Sequence, residues 1–217
     1  MLSFLLNILY PPQCRSCEAI TPYGAVFCAP CLGVIQPIVT LRLPVAKKQV
    51  MTVHALSAYT PPLRFMVLKK FHNDRLASQQ LAQLIIRMTD VGDLPFDIVV
   101  PVPLHWTRYA WRGFNQACEM ARVIARERKI PLLRCIMRTR RTQFQWQLSA
   151  EERRQNVKQV FGLHPWYRWQ GTAAITGKHV LLVDDLCTTG ATLIQVAKVL
   201  ARYQPASITA VVACRAV

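Results

Sequence analysis

The sequence has few acidic residues and no long hydrophobic run. Only 11 of its 217 residues are Asp or Glu, against 27 Lys and Arg, which gives a formal net charge of +16. An excess of this size favours polyanionic partners such as nucleic acid, nucleotide phosphates or an acidic membrane surface. The N-terminal apolar stretch, residues 1–10, is far short of the roughly 20 residues that cross a bilayer. We therefore expect no membrane span.

Export signals and repeats are missing as well. No Lys or Arg precedes the N-terminal apolar stretch, and no small-residue cleavage site lies between it and Cys14. We therefore expect this stretch to form a short helix that packs on the rest of the protein, and we expect a cytoplasmic location. The sequence contains no repeats and no low-complexity segments. Its hydrophobic fraction of 52% is sufficient for a buried core.

Four of the eight cysteines form two C-x-x-C pairs. Cys14 and Cys17 make the first pair, and Cys28 and Cys31 make the second after ten intervening residues. Two such turns present four thiolates to one tetrahedral ion, and soft sulfur ligands suit Zn²⁺. Because protein fills all four ligand positions, we predict that the zinc is structural. Two disulfides or a redox pair are the alternatives.

From residue 51 onward, apolar runs of strand length alternate with helical patterns. We predict strands at 51–58, 97–102, 132–137, 160–163, 179–184 and 208–214, and helices at 63–71, 75–88, 115–128 and 192–203. This alternation predicts an α/β fold with a mostly parallel sheet flanked by helices. We divide the chain into a leader helix, zinc knuckle and proline-containing connector over residues 1–45 and an α/β domain over residues 46–217.

The segment 180–193 is the most informative part of the chain. It reads Val-Leu-Leu-Val-Asp-Asp-Leu-Cys-Thr-Thr-Gly-Ala-Thr-Leu. Asp184 and Asp185 end an apolar strand, at the edge where open α/β sheets bind ligands. Paired carboxylates are strong acceptors for the vicinal hydroxyls of a sugar. The alternative is an ordinary corner whose acids face water.

A loop of small residues follows the two acids. It consists of Thr188, Thr189, Gly190, Ala191 and Thr192. Small side chains let the backbone N–H groups turn toward an anion, and the positive end of the following helix adds to the attraction. A phosphate cradle beside acceptors for two hydroxyls describes a ribose 5-phosphate site.

The segment 180–193 resembles the motif that binds phosphoribosyl pyrophosphate (PRPP) in type I phosphoribosyltransferases. Further segments resemble the ComF family: the run Asp-Ile-Val-Val-Pro-Val-Pro-Leu at 97–104, then Arg108, then Arg-Gly-Phe-Asn-Gln at 112–116, and a sparser set at 138–161. Together with the leading cysteines, the match covers nearly the whole chain. The resemblance implies a type I phosphoribosyltransferase fold and Mg²⁺ bound with PRPP. It also implies a role in natural transformation, in which single-stranded DNA is handled during uptake together with proteins of the uptake machinery.

The resemblance assigns a diphosphate site to the segment after the strand at 97–102. Val102 and Pro103 would lie in the pyrophosphate loop. Arg108 and Arg112 offer planar guanidinium groups that suit a diphosphate. The alternative is a basic helix start that pairs with Glu119 or with solvent.

The segment 138–148 would occupy the place of the loop that closes over PRPP. In that position Arg138 and Arg140 would stabilise charge on the leaving group while Asp184 and Asp185 hold the ribose. Arginines interleaved with Phe144 and Trp146 equally suit single-stranded DNA, and a solvated basic loop is the third interpretation. From residue 101 to residue 159 there are 13 Lys and Arg against 4 Asp and Glu, so the charge excess is concentrated there.

Three functions stay open at this stage. The first is a ComF-like protein of DNA uptake that binds PRPP and single-stranded DNA. The second is a salvage phosphoribosyltransferase that transfers phosphoribosyl from PRPP to a nucleobase. The third is a PRPP-sensing module without catalysis. No general base and no base-recognising element is identifiable in the sequence, so turnover is not decided by the residues.

Overall fold

The structure, a computed structural model, describes most of the chain. The described residues are 11–22, 24–46, 49–67, 74–104, 113–138, 160–169 and 172–216. The predicted leader helix at residues 1–10 lies outside them. So do five predicted site or loop residues, namely Arg108, Arg112, Arg140, Phe144 and Trp146.

Five strands form the main sheet. The described strands are β1 (Ile38–Ala46), β2 (Gln49–Ala58), β3 (Ile98–Pro101), β4 (Ile136–Arg138), β5 (Phe161–Leu163), β6 (His179–Cys187) and β7 (Ser207–Arg215). The main sheet has the order β1-β2-β7-β6-β3, and β4 pairs with β5 in a separate ribbon. β2, β7, β6 and β3 are parallel, whereas β1 runs antiparallel to β2 at the edge. The predicted mostly parallel sheet is confirmed.

Helices cover both faces of this sheet. The described α-helices are α1 (Ala29–Gly33), α2 (Leu63–Val67), α3 (Arg75–Met88), α4 (Gln116–Arg128), α5 (Pro165–Trp169) and α6 (Ala191–Ala201). Short 3-10 turns lie at Asp90–Gly92 and Thr172–Ala174. The predicted helices at 75–88, 115–128 and 192–203 each agree within two residues.

Strand β6 shows how alternation builds two hydrophobic cores. Leu181 and Val183 point to the face covered by α3 and α4, whereas Val180 and Leu182 point to the face covered by α6 and the β4–β5 ribbon. All four are fully buried. A strand that is apolar on both faces is expected in the middle of a parallel sheet. The sheet therefore forms a rigid support for the loops that follow the carboxyl ends of its strands.

Three predicted element bounds are wrong. The connector expected before residue 46 instead contributes β1, because its apolar residues Val45 and Leu43 pack against the sheet. The strand predicted at 179–184 continues to Cys187, since pairing with β7 extends to Arg215. The strand predicted at 132–137 is reduced to a single bridge at Leu132 followed by β4. The division of the chain at residue 45 stays a prediction.

The cysteine-rich segment packs against α3. Phe27 and Ile35 are buried in the same hydrophobic core as α3 and α4. The guanidinium of Arg15 donates a hydrogen bond of 2.5 Å to the carboxylate of Asp74. Asp74 also caps α3, because its carboxylate accepts from the backbone N–H of Ala77 at 3.1 Å. The N-terminal segment thus fixes the start of α3, with Arg75 as its first residue.

Candidate functional site

The two predicted acids lie at the carboxyl end of β6. Pairing between β6 and β3 ends at Val183 and Pro101, while pairing with β7 continues through Asp184. Asp184 and Asp185 therefore lie beyond the end of β3, where β6 has a neighbour on one side only. Both residues are half-buried. This is the edge at which open α/β sheets bind ligands.

The loop after the acids is shorter than predicted. Only Thr188, Thr189 and Gly190 separate β6 from α6, so Ala191 and Thr192 already belong to the first helical turn. Thr188 and Thr189 are exposed. We call these three residues together with Asp184 and Asp185 the acidic corner.

Gly190 is required by the geometry of this loop. It adopts a φ of 72°, in the left-handed region that favours glycine. A Cβ atom placed on Gly190 would also lie 2.5 Å from Cδ1 of Leu43 on β1. The tight turn brings the loop to the N-terminus of α6, whose first N–H groups lack partners within the helix. Backbone donors and a helix dipole suit a phosphate group at this point.

Burial and charge set the protonation of Asp184. Burial raises the pKa of Asp184 well above the usual value for a carboxyl, and the neighbouring charge of Asp185 raises the pKa further. The positive charge of Arg138 acts on Asp184 in the opposite direction. The backbone N–H of Asp185 donates to the Asp184 carboxylate at 2.9 Å. Asp184 therefore favours positive charge or hydroxyl donors nearby.

The charge of Asp185 affects the pKa values of groups on and next to the neighbouring strands. Burial first, and then the charges of nearby groups including Asp185, raise the pKa of Tyr59 just beyond β2. Burial and the charge of Asp185 likewise raise the pKa of Cys214 on β7 to about 12. The Asp184 charge instead adds to burial at Cys187, whose pKa rises to about 11. The two carboxylates thus affect different surroundings.

The segment after β3 lies next to the acidic corner. The backbone N–H of Val102 donates to the carbonyl of Val183 at 2.9 Å, which places Val102 and Pro103 beside the end of β6. Asn115 occupies the N-cap position of α4, but its side chain makes no capping bond. Its amide instead donates to the carbonyl of Val102 at 2.9 Å. No local sequence pattern indicates this contact between Asn115 and Val102.

Arg138 is brought to the site by the β4–β5 ribbon. It ends β4, pairs with Phe161 of β5, and its guanidinium lies 5.5 Å from the centre of the Phe161 ring. The chain between β4 and β5 contains residues 139–159, which lie outside the described residues. Among the predicted basic site residues, only Arg138 is described, and its charge reaches Asp184.

A cavity of about 680 Å³ opens between β3, α4 and the ribbon. Its lining includes Pro103 and Arg138, which connects it to the neighbourhood of the acidic corner. Three further arginines line it, namely Arg75, Arg122 and Arg134, together with Glu119 and His164. We call it the arginine cavity. From the sequence, Glu119 was expected only as an alternative partner for a basic helix start. Arg75, Arg122 and Arg134 were not predicted as site residues, because no sequence motif joins them.

The four predicted zinc ligands lie together. Their Sγ atoms are all within 4.8 Å of one another, and no disulfide joins any of the eight cysteines. Tetrahedral Zn–S bonds of about 2.3 Å place neighbouring sulfurs about 3.8 Å apart, and the Cys17 and Cys28 sulfurs are 3.5 Å apart. The four-cysteine cluster is therefore able to hold a metal ion of this kind.

A family profile agrees with this architecture. The family profile described as the phosphoribosyl transferase domain matches residues 111–216. Two solved structures, the allosteric regulatory enzyme of purine biosynthesis and the glutamine PRPP amidotransferase of B. subtilis, each match at 18% identity with a TM-score of 0.42. The matches cover 65% of this chain but only 25% and 26% of those chains. The fold and the profile define a protein with a phosphoribosyltransferase domain.

Relatives over nearly the whole chain narrow the class further. Competence protein F of Haemophilus influenzae is 32% identical over 87% of this chain and 78% of its own length. The DNA utilization protein YhgH of Escherichia coli O157:H7 is 33% identical over 72% of this chain and 69% of its own length. The chain belongs to the family of competence protein F, and the ComF resemblance is confirmed. No helix in the described part of the chain is long and apolar enough to span a membrane.

Proposed function

We propose that this protein binds PRPP, or a closely related ribose 5-phosphate, at the acidic corner. The observation that carries the proposal is the adjacency of Asp184 and Asp185 to the Gly190 turn and the N-terminus of α6. Carboxylates accept from the two ribose hydroxyls, and the loop N–H groups with Thr188 and Thr189 donate to the 5-phosphate. One short strand–turn–helix unit thus serves both ends of the ribose phosphate.

The diphosphate of PRPP needs positive charge on the other side of the ribose. Val102 and Pro103 lie beside the acids, and Asn115 holds the carbonyl of Val102 in place. Arg108 and Arg112, predicted for this role, follow in the sequence. Mg²⁺ bound with the diphosphate would supply charge neutralisation, and Asp184 and Asp185 are oxygen ligands of the type that Mg²⁺ accepts.

Calorimetry of PRPP with Mg²⁺ tests the acidic corner. We expect saturable binding by the wild-type protein and a loss of about ten- to hundredfold in affinity for Asp185→Asn, because a charge-assisted hydrogen bond contributes about 1.5–3 kcal/mol. Asp93→Asn is a matched control, since Asp93 is exposed and precedes β3 at the opposite end of that strand. Equal affinities for the Asp185 variant and the Asp93 control would exclude the corner as the site.

We propose that the protein also binds single-stranded DNA during DNA uptake or utilization. The names of its relatives, competence protein F and DNA utilization protein, support this role. The concentration of Lys and Arg between residues 101 and 159, including Arg138, Arg140 and Arg141, supports contact with a phosphate backbone. DNA-uptake proteins are the partners that such a role implies.

Salt dependence tests the DNA proposal. We expect retardation of single-stranded DNA that weakens linearly with the logarithm of salt concentration. Replacement of both Arg140 and Arg141 by Glu is expected to weaken binding, whereas Arg42→Glu at the far edge of the sheet is expected to have a smaller effect. No binding by the wild type at moderate salt would refute the DNA role while leaving the PRPP proposal untouched.

A second candidate function is phosphoribosyl transfer to an acceptor. The arginine cavity adjoins the acidic corner and has a volume in the range of about 300–1,000 Å³ that small-molecule sites share. Release of pyrophosphate from PRPP, Mg²⁺ and one compound of a nucleobase panel would support turnover. PRPP binding without turnover across the panel would favour a PRPP-sensing role.

We propose Zn²⁺ as the ion of the four-cysteine cluster, with a structural role. Four thiolates and no open ligand position favour zinc over harder ions. The eight unbonded cysteines also support a reducing, cytoplasmic location. Metal analysis is expected to give one zinc per chain in the wild type and loss of zinc in Cys28→Ser. A cluster purified without metal, or joined by disulfides, would refute the assignment.

A further inference from the structure

Three arginines of the cavity lining, Arg75, Arg122 and Arg134, have no role in the proposed PRPP site. Its described charged groups are four arginines against Glu119. Glu119 is buried and already paired with Arg122, whose guanidinium donates to it at 2.6 Å. The cavity therefore keeps a net positive charge after this pair is accounted for. A lining of this kind selects an anion, and guanidinium groups suit phosphate oxygens in particular.

The other walls of the cavity are apolar or aromatic. The guanidinium of the exposed Arg75 lies 5.6 Å from the centre of the ring of Phe114, which is itself buried, so the two form a cation–π contact at one side of the cavity. Leu104, Ile136 and Met137 contribute further apolar surface. Nucleobases pack against arginine guanidinium planes and apolar side chains as well as on aromatic rings. The lining thus combines a phosphate-binding part with a base-binding part.

The size of the cavity limits its ligand. A volume of about 680 Å³ lies within the range for small ligands and cofactors, about 300–1,000 Å³. It is sufficient for one nucleotide with bound water, but not for an extended stretch of DNA.

We infer that the arginine cavity binds one phosphate-bearing nucleotide unit, either the phosphorylated end of a single-stranded DNA or a free mononucleotide. The inference deepens the proposed DNA-binding function, on which it rests, by naming the part of DNA that is recognised. Arg75 and Arg134 contact the phosphate, and the apolar side chains of Leu104 and Met137 contact the base. None of these residues belongs to the acidic corner, so the two sites are separable by mutation.

Fluorescence anisotropy with three labelled oligothymidylates tests this inference. One carries a 5′-phosphate, one a 3′-phosphate, and one only hydroxyl ends. We expect the wild-type protein to bind one of the phosphorylated forms several-fold more tightly than the hydroxyl form. Replacing both Arg75 and Arg134 by Gln is expected to remove this preference and to weaken binding of the phosphorylated form by about tenfold, because two solvent-exposed charged contacts are lost and each contributes only modestly.

The control is the double variant Arg42→Gln, Arg202→Gln. It removes the same charge from exposed positions, on the edge strand β1 and at the end of α6, so it is expected to keep the preference for a phosphorylated end. Competition by thymidine monophosphate distinguishes a free mononucleotide from the phosphorylated end of a DNA strand as the ligand. Equal competition by the nucleotide and the phosphorylated oligonucleotide assigns the cavity to free nucleotides, and weak competition assigns it to DNA ends.

Two results would overturn the inference. One is equal wild-type affinity for phosphorylated and hydroxyl oligonucleotides together with no binding of thymidine monophosphate. The other is an equal loss in the cavity variant and the control variant. Failure of the proposed DNA function is different, because the wild type would then bind none of the oligonucleotides. Calorimetry with PRPP and Mg²⁺ on the cavity variant is expected to match the wild type, which shows that the variant is folded.

Discussion

The acidic corner and the arginine cavity lie side by side but are built differently. The corner carries two carboxylates on the rigid central strand β6 and comes from one continuous segment, 184–190. The cavity carries four arginines that come from the start of α3, from α4 and from the chain around β4. One suits hydroxyl donors and a single phosphate, whereas the other suits a phosphate together with a nucleobase. The difference supports the proposal of two adjacent sites with distinct ligands.

The first and largest expected effect comes from the proposed zinc, which we expect to act on the two regions unequally. Arg15, next to Cys14, pairs with Asp74, and Asp74 caps the helix whose first residue, Arg75, lines the cavity. Among the described residues, no comparable series of contacts joins the four-cysteine cluster to the acidic corner. We expect metal removal or Cys28→Ser to cost about 3 kcal/mol or more. This corresponds to a Tm lower by about 6–12 °C.

Calorimetry with each ligand after metal removal checks the unequal effect. Nucleotide binding is expected to fall at a temperature where PRPP binding is retained. An equal loss of affinity for the nucleotide and for PRPP, without global unfolding, would show that the metal does not act on the two sites unequally.

Replacing Asp184 is expected to have the second effect. The replacement is expected to raise the stability of the fold and to lower the affinity for PRPP. Because its pKa is raised in the folded protein, folding retains a proton that the unfolded chain releases. Stability therefore falls as pH rises from the ordinary carboxyl pKa to the raised one, and it stays low above it. Asp184→Asn removes this fall.

Unfolding in urea at a series of pH values measures the stability effect. Asp184→Asn is expected to be more stable than the wild type at neutral pH, by about 1.4 kcal/mol for each pH unit by which the pKa is raised. The same variant is expected to lose PRPP affinity, and wild-type affinity is expected to weaken as Asp184 is protonated. An unchanged pH slope relative to Asp93→Asn would contradict the burial of this carboxylate.

Gly190→Ala is expected to have the third effect and to act on the corner alone. The left-handed backbone costs a side-chain-bearing residue about 1–3 kcal/mol, and the new Cβ would meet Leu43. We expect a lower midpoint of urea unfolding and weaker PRPP binding, with nucleotide binding by the cavity unchanged. Adding Leu43→Ala is expected to relieve the contact but not the backbone strain. Full recovery in the double variant would show that crowding, not conformation, sets the requirement for glycine.

Asp74→Ala gives the smallest expected effect, and it acts on the cavity side. Asp74 caps α3 and pairs with Arg15, so its loss is expected to cost about 1 kcal/mol of stability. Asp74→Asn keeps a capping group and is expected to restore most of this stability, as thermal unfolding would show. A fall in PRPP affinity for either variant would indicate that the start of α3 also supports the corner.

The sequence allowed the corner to be predicted because its parts are adjacent in the chain. An apolar run, two acids and a small-residue turn specify a strand, a ligand edge and a helix start through local rules alone. The bounds were less exact, since β6 continues to Cys187 only because β7 offers partners as far as Arg215. Pairing of this kind depends on a distant segment and is not visible in the local pattern.

The cavity could not be predicted for the same physical reason. Arg75, Arg122 and Arg134 are separated by tens of residues, and packing of α3 against α4 brings the first two together. Each lies in an ordinary polar position of its own segment, so no spacing rule marks it. β1 was missed in a similar way, because a proline-containing edge strand shows little of the usual alternation and is held mainly by its neighbour β2.

The most direct test of the acidic corner is a crystal structure of the protein grown with PRPP and Mg²⁺. The account predicts density for the 5-phosphate at the backbone N–H groups of residues 188–191, and for the ribose hydroxyls at the carboxylates of Asp184 and Asp185. Ligand density confined to the arginine cavity, with the Gly190 turn in contact with water alone, would contradict the account.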